Sequence, residues 1–166
     1  MPLLNFILSL LAGLILHELG HLVAARLCGV RVSAIGIGWG RCVYQRTFRN
    51  TNCQLRLLPL GAFIQMDMTT FKQRPFEQQL FVLVAGIGVN LILAFFTWGS
   101  LFGVLNLGLA IGNLLPFYQQ DGWKSAIVLS RRLLGRSPLV EWAITLSGGA
   151  MTIAVVISAV LTLKFN

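Results

Sequence analysis

Apolar residues fall into four long stretches, and polar ones gather in the gaps between them. The first stretch, Leu3 to Leu27, is long enough to cross a bilayer as one helix. It has no basic leader, so it reads as a retained span over residues 3–27 rather than a cleaved signal peptide. A second run extends from Leu80 to about Tyr118. As one helix it would measure roughly 58 Å, about twice the bilayer core, so it must turn back. Trp98-Gly99-Ser100 joins an interfacial aromatic to a helix breaker, and predicts spans over residues 78–98 and 101–118, the latter broken near Pro116. A last span is expected over residues 139–163, with Trp142 as an interfacial anchor.

The gaps carry their own patterns. Residues 32–66 lack helical periodicity but alternate around a turn read at Asn50-Thr51-Asn52, which predicts a β-hairpin. Its apolar residues, Trp39, Leu57, Leu58, Leu60 and Phe63 among them, let it dip into the membrane as a re-entrant element. Residues 123–135 read as a short amphipathic helix on the membrane surface. The expected fold is therefore mainly α and polytopic: about four membrane-spanning helices, a membrane-associated β-hairpin after the first, and a short interfacial helix before the last. With 166 residues, one domain over 1–166 is expected.

Composition agrees with a membrane setting: 56% of residues are hydrophobic and only 11% charged, too few for the surface of a soluble domain. The net charge of +8 could point to nucleic acid, but the cations lie between apolar stretches, not in a dense run with aromatics. All of the thirteen except Lys164 lie on one side of the expected spans. By the positive-inside rule that side is the cytoplasm, which puts the N-terminus outside, as in the cytoplasmic membrane of a prokaryote. Cys28, Cys42 and Cys53 show no zinc-finger or disulfide spacing and read as free thiols.

The chemistry concentrates in His17-Glu18-Leu19-Gly20-His21. Residues four apart share a helix face, so both imidazoles can reach one metal, with Glu18 beside it as general base towards water. A shuffled chain of this composition would give the pattern roughly once in 7,000 arrangements. An ionisable group deep in a membrane helix costs about 2.5–3.5 kcal/mol on insertion scales, so it is rare without a role. Catalytic zinc takes three protein ligands, and no third His exists. Asp67, Glu77, Asp121 and Glu141 are the acidic candidates, and Asp121 leads because Pro116 and Gly122 break the chain around it. Capping of the following helix is the competing role for Asp121. Asn90, within the second span, could donate to a developing oxyanion or make an interhelical hydrogen bond. Two readings stand beside proteolysis: a membrane protein that binds or transports metal, and an inactive scaffold for membrane helices.

His-Glu-Leu-Gly-His, Gly86-x-x-x-Asn90 and Asn113-x-x-Pro116-x-x-x-x-Asp121-Gly122 together resemble the site-2 protease family of intramembrane zinc metalloproteases, over residues 10 to 125. The resemblance implies one Zn²⁺ on His17, His21 and Asp121, with Glu18 as catalytic acid and base. It implies substrate or oxyanion roles for Asn90 and Asn113. Leu57, Leu58, Pro59, Leu60 and Gly61 resemble the family's hairpin, where substrate pairs as a strand. It also implies transmembrane protein substrates, such as pre-cleaved anti-sigma factors or signal-peptide remnants; the charge pattern and the depth of His17 along the first span put the site towards the cytoplasmic side. No nucleic-acid partner is expected. The chain departs from the family pattern at Ala62, Ile87 and Gln119-Gln120, none of them a ligand position.

Overall fold

The computed structural model describes residues 2–165, and the side chains in that range other than those of residues 59, 60 and 163–165. It is mostly helical, with one β-ribbon. Contacts divide it into two compact units, Met1–Ile111 and Gly112–Asn166.

In the first unit, α1 spans Pro2–Leu27. It ends where Gly29 takes a left-handed φ of 65° and Val30 N–H donates to Ala25 O. Glycine occupies that region without steric cost. The buried residues Gly13, His17, His21, Leu22, Ala24 and Ala25 recur mostly at three- and four-residue spacing and form one face. Leu3, Leu8, Leu19 and Val23 are exposed, as suits a helix surrounded by lipid.

β1, Val32–Phe48, and β2, Thr51–Met66, form a single long ribbon. The turn lies at Arg49-Asn50, one residue before the expected position, because Phe48 pairs with Thr51. Both turn residues have positive φ, 45° and 66°, the conformation of the tight hairpin turn whose twist suits its flanking strands. The ribbon also folds back on itself. Residues 34–37 pair with 62–65 on one side and with 52–55 on the other. The crease falls where Gly38, Gly40 and Gly61 take φ of 96°, 87° and 95°. A Cβ on Gly38 would collide with the Leu58 carbonyl, so the crease needs glycine twice over. Folding leaves residues 62–66 as an outer edge of the sheet.

A single turn, α2 (Met68–Lys72), follows, capped by Asp67. The Thr69 backbone N–H beside the Asp67 carboxylate holds its pKa below the usual value. α3, Phe76–Phe96, buries Val82, Leu83, Gly86, Ile87, Asn90 and Ala94 on one face. α4, Leu101–Leu114, is capped by the Ser100 hydroxyl, which accepts from Gly103 N–H at 3.0 Å. α1 approaches α3 and α4 closely through glycines. A Cβ on Gly20 would stand 2.9 Å from the Ala85 carbonyl, and one on Gly13 would stand 3.0 Å from Leu109.

In the second unit, α5 spans Asp121–Leu134 and α6 spans Pro138–Phe165. A turn over Phe117–Gln120 leads into α5, with Gln119 at φ 71°. Proline could not take that φ. Arg131 forks onto both Glu141 oxygens at 2.7 Å, tying α5 to α6. The hydrogen bonds to Glu141 raise the Arg131 pKa still further. Among the described residues, three helices are long and apolar enough to cross a membrane: α1, α3 and the Pro138–Thr162 part of α6. α4 is apolar but shorter.

Candidate metal centre

α1 and α3 hold the chemical groups of the first unit. His17 and His21 lie one turn apart on the buried face of α1, each 3% exposed. Their Nε2 atoms approach to 3.1 Å. His21 Nδ1 lies 2.7 Å from the Val82 carbonyl of α3. A carbonyl can only accept, so Nδ1 carries the proton, which in a neutral ring leaves the lone pair on Nε2. His17 Nδ1 lies 3.1 Å from the Asn90 amide, which is fully buried. The outer nitrogen of each ring is thus tethered to α3, and the inner nitrogens face one another.

Gly86 makes room for both rings. A Cβ there would stand 2.5 Å from His21 Nε2 and 2.8 Å from His17 Nε2. No side chain larger than hydrogen fits between the imidazoles and the α3 backbone. Two buried imidazole nitrogens beside a cradle a methyl group would fill suit a soft-to-borderline divalent cation, which imidazole binds well.

Glu18, next to His17, is turned towards the ribbon. Its Oε2 accepts from the backbone N–H of Ile64 at 3.0 Å. Ile64 sits on the outer edge of the sheet, so this N–H points away from the ladder. A cavity of about 220 Å³ opens here, lined by Leu19 and Leu22 of α1 and by Ile35, Ala62 and Ile64 of the ribbon, with Glu18 at its rim.

Asn113 is half-buried in the last turn of α4, and Asp121 is buried at the first position of α5. Asp121 accepts from Lys124 at 3.0 Å. The cap of α5 is Gln120, and it makes no side-chain cap bond, so Asp121 is not held there as a cap. Gly122 packs on the carbonyls of Leu114 and Leu115 with no space for a Cβ. Leu57, Leu58 and Gly61 lie at the crease, with both leucines exposed. The side chains of Pro59 and Leu60 lie outside the described residues. Sequence reasoning missed Val82 and Ile64, since each acts through its backbone and leaves no signal in residue identity.

Paired histidines on a buried helix face with a carboxylate on the adjoining position make a metal-binding class of site in a helical protein with apolar, membrane-length helices. Residues 5–102 match Peptidase family M50, and the chain belongs to that family. It is 37% identical over 116 residues to a putative zinc metalloprotease of Campylobacter jejuni, covering 60% of this chain and 31% of that one. It is 32% identical over 126 residues to the regulator of sigma-E protease RseP of Salmonella typhimurium, covering 67% and 28%. A probable chloroplastic membrane metalloprotease of Arabidopsis thaliana is 33% identical over 135 residues, covering 74% and 30%. The chain spans less than a third of the length of these relatives.

Proposed function

We propose that this chain is an intramembrane zinc metalloprotease that hydrolyses peptide bonds in or near membrane-spanning helices of other proteins. The observation that carries the reading is the pair of tethered imidazoles, Nε2 to Nε2 at 3.1 Å, with Glu18 on the adjoining position of the same helix. His17 and His21 supply two zinc ligands, and Asp121 supplies the third. Of the acidic residues besides Glu18, Asp121 alone is buried, with one oxygen on Lys124: Asp67 caps α2, both oxygens of Glu141 hold Arg131, and Glu77 is exposed at the start of α3. Family membership favours the same assignment.

Bound zinc supplies Lewis acidity to the attacking water and the scissile carbonyl. Glu18 accepts the proton as water adds to the carbonyl carbon, then passes it to the leaving nitrogen as the C–N bond breaks. A substrate helix hides its amides in internal hydrogen bonds and must be drawn out before it can react. The outward N–H groups of residues 62–66 offer a strand edge for that purpose, one that extends the Leu57–Gly61 segment towards Glu18. The cavity at Glu18 takes an apolar substrate side chain. Asn113 is assigned to substrate positioning.

The topology follows from the same reading. α4 completes a set of four spans with α1, α3 and α6, α5 lies at the interface, and residues 1–166 act as one proteolytic domain. His17 lies roughly 21 Å along α1 from Leu3, below mid-membrane. With the basic segments inside, the N-terminus is outside and the site is towards the cytoplasm. Substrates are transmembrane proteins, including pre-cleaved membrane-anchored regulators.

Zinc analysis of the purified chain tests the ligand set. The native protein is expected to hold one zinc. His17→Ala, His21→Ala and Asp121→Ala are each expected to lose it along with cleavage of a membrane-tethered reporter. Full zinc retention in Asp121→Ala would remove that residue from the site.

A further inference from the structure

Two proton arrangements fit the distances around His17. In one, Asn90 Nδ2–H donates to His17 Nδ1, and His17 Nε2–H donates to His21 Nε2. That arrangement leaves the buried Asn90 Oδ1 without a hydrogen-bond donor. In the other, the carboxamide is turned about, and Oδ1 accepts from His17 Nδ1–H. Amide nitrogen and oxygen have nearly the same shape, so the same heavy-atom positions hold either orientation. The first puts a proton between the two histidines. Only the second turns a lone pair of each Nε2 towards a shared cation; because the flip moves Nδ2 to the unpartnered position in place of Oδ1, it is the cation's need for both lone pairs that selects it. His21 is already fixed in this sense by the Val82 carbonyl at 2.7 Å.

We propose that Asn90 is a positioning residue for the metal centre: its side-chain oxygen accepts from His17 Nδ1–H and aims His17 Nε2 at the cation. This rests on the zinc reading above. It differs from an oxyanion role, which would require Asn90 to donate to the substrate carbonyl. Outer hydrogen bonds of this kind fix the ring's tautomer and orientation, and their loss usually weakens metal binding about 10–100-fold.

The two roles respond oppositely to Asn90→Asp. Aspartate keeps an acceptor for His17 Nδ1–H but has no N–H to donate. Leucine, in Asn90→Leu, has a similar shape and neither group. Zinc affinity is measured by chelator competition on the purified full chain in detergent, native against both variants. Asn90→Leu is expected to bind zinc about 10–100-fold more weakly. Asn90→Asp is expected to stay within a few-fold of native or to bind more tightly. Native zinc affinity in Asn90→Leu would overturn the proposal, because a donor to substrate does not act on the metal. Equal weakening in both variants would also overturn it, pointing to packing alone. If the native chain takes up no zinc, it is the zinc reading that fails, a result distinct from both.

Discussion

A neutral imidazole has one protonated nitrogen and one lone pair, and the partner of the first decides where the second points. For His21 that partner is the Val82 carbonyl, and for His17 it is the Asn90 carboxamide. Both lie on α3, so the helix across from the HELGH motif sets the direction of its ligand atoms. Gly86 is the residue on which this approach depends. Gly86→Ala would push a methyl group to 2.5 Å from His21 Nε2, and the helices must part or the rings must swing. Zinc bound per chain should therefore fall to near zero, while circular dichroism still reports a helical protein. Undiminished zinc in that variant would show that the rings have more freedom than their packing implies. The histidines and Glu18 were legible in the sequence, because local helix geometry alone puts residues 17 and 21 on one face. Their partners, 61 and 73 residues away, were not. Asn90 was noticed as a polar residue in an apolar span, but its hydrogen bond to His17 appears only once α3 is packed on α1.

At the level of elements, the ribbon shows how far pattern reading reaches. Alternation and an Asn-rich turn were enough to predict a hairpin, and α1, α3 and α6 follow from length and hydropathy. The fold-back was not visible. It depends on positive φ at Gly38, Gly40 and Gly61, and glycine composition does not say which φ a glycine adopts. The crease turns residues 62–66 into an edge beside Glu18, the edge proposed to receive substrate. Ile64→Pro tests that edge. It deletes one outward N–H that donates to Glu18, and proline is tolerated on an edge strand when the lost N–H faces away from the ladder. Cleavage of a membrane-tethered reporter should drop by roughly tenfold or more, about the cost of one lost hydrogen bond to a charged group, with zinc content unchanged. Ile64→Ala keeps the N–H and should stay near native. An equal loss in both variants would make the side chain the important feature, and native cleavage in both would show that the edge is not used.

For the molecule as a whole, the low charge and long apolar stretches placed it in a membrane before any motif was read. The exposed leucines, valines and phenylalanines of α1, α3 and α6 are what such a solvent requires. Burying a metal site on a membrane helix has a further effect. Water is scarce there, and on the proposed reading the peptide that reaches Glu18 comes from within or beside the bilayer. On that reading, Glu18 is the group that separates holding a metal from cutting a chain. The direct test reconstitutes native protein and Glu18→Gln in vesicles with a membrane-tethered reporter, and measures zinc content and cleavage in the same samples. The account predicts equal zinc in the two proteins and cleavage by the native chain only. Equal cleavage by both would contradict it.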